Sequence, residues 1–133
     1  MERLSAEKQA TQAKKKLGTA IAHCRGDRMS QRQLALAVGL PPSNMKYIED
    51  GVNAPTRDVY AGLIAALNPG KAERKKLDSL YMSVRRTPPP DVCETLMANP
   101  ALIEAVRKLD GIKLSGEQAK QVQQLFEHIK NDC

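Results

Sequence analysis

The chain has 133 residues, a formal net charge of +6, and only three Tyr, one Phe and no Trp. That length suits one core domain with an appendage. No run of about 18 apolar residues and no secretory leader is visible, so a soluble, cytoplasmic protein with no membrane association is expected. Cys24, Cys93 and Cys133 are widely spaced and lack any Cys-x-x-Cys. They are expected to be reduced thiols rather than disulfide partners or metal ligands.

The charge is uneven along the chain. Residues 1–86 hold 16 Lys/Arg against 8 Asp/Glu, or +8; residues 87–133 hold 5 against 7, or −2. A basic excess alone fits a solvated surface as well as a polyanion partner.

The elements all read as helices. Residues 6–24 carry an apolar stripe of Leu17, Ile21 and Cys24, with Ser5 as the expected N-cap and a polar first half that includes Lys14, Lys15 and Lys16. Ser30 and Gln33 have capping-box spacing, which starts a second helix at Gln31. Leu34, Ala35 and Val38 give it one buried face, and Gly39 supplies the left-handed residue that ends it. A third helix opens at Pro41 or Pro42. Met45 and Ile48 form its buried side; Ser43, Asn44, Lys46 and Tyr47 form a polar outer side. Thr56 caps a fourth helix with a stripe of Tyr60, Leu63, Ile64 and Leu67. Asn68-Pro69-Gly70 breaks it, and a fifth runs from Lys71 to Arg85 with Leu77, Leu80, Tyr81 and Val84.

Thr87-Pro88-Pro89-Pro90 cannot continue a helix and reads as a linker over residues 87–90. Beyond it come a short helix over 91–98, a helix after Asn99-Pro100 ended by Gly111, and a last one capped by Ser115 and Gln118. No strand is indicated, so the fold class is all-α, with domains 1–86 and 91–133. The second region is too small to bury much surface alone. It must pack on its own first domain or on another copy, and Val106, Leu109, Val122, Phe126 and Ile129 are its candidate dimerisation residues.

Two short helices joined by a tight turn, the second with a polar outer face, is an arrangement that lays a helix in the DNA major groove. The residues Ser30, Gln31, Leu34, Ala35, Gly39, Leu40, Met45, Ile48, Glu49, Gly51 and Pro55 resemble the motif of the Cro/C1-type (XRE) helix-turn-helix family, which includes the lambdoid phage repressors. The likeness extends back to Leu17-Gly18, Ile21 and Arg25 and forward to Tyr60, Leu63 and Leu67. Pro41 stands where the family usually has Ser or Thr, and the loop Gly26-Asp27-Arg28-Met29 is one residue shorter.

The resemblance implies a five-helix lambda-repressor-like domain and a dimeric transcription regulator, most simply a repressor, of a pseudo-palindromic site in double-stranded DNA. It places Ser43, Asn44 and Tyr47 at base edges, where Asn bonds adenine bidentately. Pro42 would offer an apolar contact, and Lys46 would reach phosphate or guanine. Gln31 matches a phosphate-clamping glutamine; Asn53, Arg57, Arg32 and Arg28 are further phosphate candidates. Arg25 and Glu49 match a structural ion pair. A second reading of another class is an antitoxin or adaptor whose C-terminal helices bind a protein partner.

No catalytic residues are expected. His23 and His128 are the only histidines, no Ser/His/Asp or Cys/His set is suggested, and no phosphate-binding glycine loop is present. Neither a metal nor another cofactor is indicated. Single-stranded nucleic acid is disfavoured because so few rings are available to stack on bases.

Overall fold

The computed structural model describes residues 2–132, with side chains from residue 7 onward. Eight helices follow one another among these residues: α1 (Glu2–Arg25), α2 (Gln31–Ala37), α3 (Pro42–Glu49), α4 (Arg57–Leu67), α5 (Lys71–Arg85), α6 (Pro90–Ala98), α7 (Pro100–Arg107) and α8 (Gly116–Asn131). The chain is all-helical over the described residues, and none of these helices is long and apolar enough to cross a membrane. It divides into two compact units, Met1–Thr95 and Leu96–Cys133.

Helix α1 begins at Glu2, so Ser5 lies within the helix rather than capping it. The polar first half holds no Gly or Pro to stop propagation, and a helix anchored further on extends at little cost. At α2 the Gln33 N–H donates to Ser30 Oγ at 3.0 Å, and the Ser30 N–H donates to Gln33 Oε1 at 2.8 Å. Gly39, at φ +73°, then turns the chain. Helix α3 starts at Pro42, with Pro41 in the cap position and no side-chain cap bond. Proline at this point loses no helical N–H, so the missing cap is tolerated. Thr56 caps α4 through the Val59 N–H.

The core of the first unit comes from α1 to α5. Leu17, Ile21, Leu34, Met45, Leu63, Leu67 and Leu77 are buried in it. Tyr60 and Tyr81 stack with ring centroids 4.1 Å apart. The Tyr60 hydroxyl donates to Asp78 Oδ1 at 2.7 Å, so the buried ring keeps its polar end satisfied. Burial first, and then the Asp78 carboxylate, push the Tyr60 pKa up. Cys24 is also buried; desolvation, then Glu73, push its thiol up to about 11, so it packs as a small protonated side chain.

Helix α1 packs on α3 at very short range. A Cβ on Gly18 would lie 2.4 Å from the Ile48 carbonyl oxygen and 2.6 Å from that of Glu49. A Cβ on Gly51, whose φ is +77°, would lie 2.5 Å from Lys15 Cα. Gly18 on α1 meets the end of α3, and Gly51 in the turn just after α3 meets Lys15 of α1, so each close approach has a glycine on one side.

The proline stretch is not a free linker. Pro89 and Pro90 are buried, α6 starts at Pro90, and the division between the units falls after Thr95. In the second unit α7 stops at Arg107, ahead of the expected end at Gly111. Leu109 and Ile112 bond back to Val106 and Leu109, tightening the chain into i to i+3 turns. Neither α7 nor α8 contains a buried residue. Cys133 lies outside the described residues.

Gly18→Ala is expected to destabilise the protein by about 1–3 kcal/mol, because the methyl group meets backbone atoms that cannot rotate away. A thermal melt checks this, and an unchanged Tm would show that the helices separate freely.

Candidate nucleic-acid interface

Helix α3 has two contrasting sides. Met45 and Ile48 are buried against the core, whereas Pro42, Ser43, Asn44, Lys46 and Tyr47 are exposed. Eight residues make little more than two turns, so tertiary packing rather than propensity must hold this helix. Two apolar anchors, Met45 and Ile48, are a small buried face to hold it.

Glu49 supplies the missing restraint. Arg25 approaches its carboxylate through both ends of the guanidinium fork: Nε donates to Oε2 and Nη2 to Oε1, each at 2.9 Å. This bidentate geometry is the strong form of the Arg–carboxylate bond. The Glu49 side chain is 5% exposed and that of Arg25 19%. Hydrogen bonding to Glu49 raises the Arg25 pKa. Arg25 Nη1 also donates to the Met29 carbonyl at 3.1 Å, so the pair closes the loop before α2 as well.

Gln31 joins the same cluster. Its Nε2 donates to Glu49 Oε1 at 3.1 Å, tying the first residue of α2 to the last of α3. The side chain expected to point at phosphate is thus also a strut. Arg28 differs more from expectation. Its Nη2 donates to the carbonyls of Cys24 at 2.8 Å and Leu67 at 3.1 Å, which joins the end of α1 to the end of α4.

The loop after α3 is held from two directions. The backbone N–H groups of Val52 and Asn53 donate to the Tyr47 carbonyl at 2.9 and 3.2 Å. Arg85 on α5 donates to the carbonyls of Pro55 and Ala54 at 2.8 and 2.9 Å. Nothing local in the sequence marks Arg85 for this role, since its partners lie 30 residues away. Asn44, Asn53, Thr56 and Lys14 line one open groove of about 630 Å³ beside α3. Ser43, Lys46 and Tyr47 are not among its lining residues. Lys46 Nζ lies 3.7 Å from Asp50 Oδ2, a loose exposed pair. Arg32 is exposed on α2. Arg57, at the start of α4, bonds Glu94 Oε1 through Nη2 at 2.9 Å.

The arrangement offers amide, hydroxyl and ammonium groups on a braced frame. It suits hydrogen bonding to an extended polar ligand. Among the described residues no group of three or more His, Cys, Asp or Glu is placed to hold a metal ion. No family model, curated protein or solved structure matches the chain.

Removing either partner of the Arg25–Glu49 pair strands the other charge, which costs up to about 3–5 kcal/mol at a buried site. Arg25→Ala and Glu49→Ala are each expected to lower the Tm, and the double variant to lose less than the sum of the two. Additive losses in the three melts would show that the charges act independently.

Proposed function

We propose that this protein is a sequence-specific, double-stranded DNA-binding transcription regulator. In this reading α2 and α3 form a helix–turn–helix within a five-helix domain of lambda-repressor type, α1 to α5, of the Cro/C1-type (XRE) family. The observation that carries the reading is the two-sidedness of α3. Its buried side and the Arg25–Glu49–Gln31 cluster brace it, while Ser43, Asn44, Lys46 and Tyr47 stand in solvent. A rigid helix with exposed donors and acceptors is what direct reading of base edges requires.

Asn44 and Ser43 read bases, Tyr47 and Pro42 add contact area, and Lys46 binds phosphate or guanine. Arg32, Asn53 and Arg57 hold the phosphate backbone. Gln31 serves twice. An amide has two N–H donors, so the bond to Glu49 orients the side chain and leaves a second donor for phosphate. The first unit also carries the charge: residues 1–95 hold 16 Lys/Arg and 10 Asp/Glu, a net +6, and residues 96–133 hold five of each.

The active species is a homodimer joined through the second unit. Val106, Leu109, Phe126 and Ile129 are 39–51% exposed there, and Val122 is partly covered. A unit of this size with no buried residue on α7 or α8 lacks a core of its own. Its zero net charge lets two copies meet without repulsion. Occupying a promoter with two such domains is the simplest route to repression.

Affinity for a selected duplex is expected to fall linearly with salt on logarithmic axes, because each phosphate contact releases counterions. Asn44→Ala and Ser43→Ala should each lose about 1–3 kcal/mol of discrimination at one or two base positions. Binding titrations against single-base variants of the duplex read both effects. A flat salt response removes the DNA reading; an unchanged base preference in both variants moves the reading surface away from this side of α3.

A further inference from the structure

The segment that follows α5 lays two acids on two arginines of the first unit. Arg57 Nη2 donates to Glu94 Oε1 at 2.9 Å, and Arg74 Nη2 lies 3.1 Å from Asp91 Oδ2. Arg74 is itself placed by Asp78, 3.4 Å from its Nε, and Asp78 is the acceptor of the buried Tyr60 hydroxyl. The buried Pro89 and Pro90 immediately before these acids seat the start of α6 against the same unit. Two ion pairs and two buried prolines therefore act together on one short stretch.

Asp91 and Glu94 also account for the acidic balance of residues 87–133. Counted with residues 96–133 alone, acids and bases are equal at five each. The excess of two negative charges belongs to the side chains that dock on the basic unit. There they lower its net charge from +8 to +6.

We propose that this acidic stretch is a built-in competitor for nucleic-acid phosphate, with Glu94 holding the Arg57 guanidinium that DNA must take over. The proposal rests on the DNA-binding reading above. A carboxylate and a phosphate use the same N–H donors of an arginine, so Arg57 cannot fully serve both. Arg57 follows Thr56, which lines the groove beside α3 together with Asn44 and Asn53. The side chains of Arg57 and Glu94 are 51% and 61% exposed, so water already screens the pair. A pair of this kind is weak enough to be displaced, which makes it an attenuator of affinity rather than a block. Displacement matters most at low salt, where exposed charges are least screened.

Glu94→Gln keeps the side-chain shape and removes the charge. In the full-length protein at low salt it is expected to tighten binding to a fixed duplex by about two- to fivefold. The same substitution in an Arg57→Gln background should change nothing, because the competed cation is gone. Glu104→Gln makes the same change in net charge within the second unit, where Glu104 pairs with Arg107, and should leave the affinity unaltered. Equal gains from Glu94→Gln and Glu104→Gln would reduce the effect to net charge and overturn the proposal. So would no gain from Glu94→Gln in a protein whose binding is steeply salt-dependent. If the unaltered protein shows no salt-dependent duplex binding at all, the DNA reading fails and the competitor with it.

Discussion

The close crossing of α1 and α3 governs the rest of the first unit. Gly18 on α1 and Gly51 just past α3 each remove the side chain from one side of the contact. That approach brings Arg25, one end of α1, within bidentate reach of Glu49 at the end of α3. Once Glu49 is held, Gln31 finds its acceptor and α2 is tied to α3. A helix of two turns thereby acquires a fixed attitude that its own propensity would not supply. The exposed donors of α3 inherit this rigidity, which reduces the ordering cost of binding a polar ligand.

The two units solve the burial problem in opposite ways. Residues of α1 to α5 close a core around Leu17, Leu34, Met45, Tyr60, Leu63 and Tyr81. The surface left over is basic, and its arginines are heavily committed: Arg25 and Arg28 brace helix ends, and Arg85 secures the loop after α3. The second unit has apolar faces, no buried residue on α7 or α8, and balanced charges. In the proposed reading this is a division of labour, one unit for a polyanion and the other for a second copy.

Local chemistry was the legible part of the sequence. The starts of α2, α4 and α8 follow from cap residues whose bonds span three positions, so adjacent letters suffice to find them. The buried stripes of α3, α4 and α5 follow from helical periodicity in the same way. Pairings between distant residues were legible only where a family pattern pointed to them, as with Arg25 and Glu49. The bonds from Gln31 to Glu49, Arg28 to Leu67 and Arg85 to Ala54 and Pro55 join residues 18 to 39 positions apart and leave no local trace. Arg28 and Arg57 are both phosphate candidates by the resemblance, yet one closes a helix junction and the other holds Glu94. The triple proline suggested a boundary because it stops α5; its burial, which extends the first unit to Thr95, depends on packing that composition does not reveal.

Selection of fragments from a random pool of duplexes by the full-length protein, followed by sequencing, tests the central claim most directly. Two braced α3 helices joined through the second unit should recover an inverted repeat of short half-sites. Their centres should lie about one helical turn apart, roughly 10–10.5 base pairs. Recovery of fragments with no enriched motif at low salt would contradict the account, since an exposed, rigid and polar α3 would then be reading nothing.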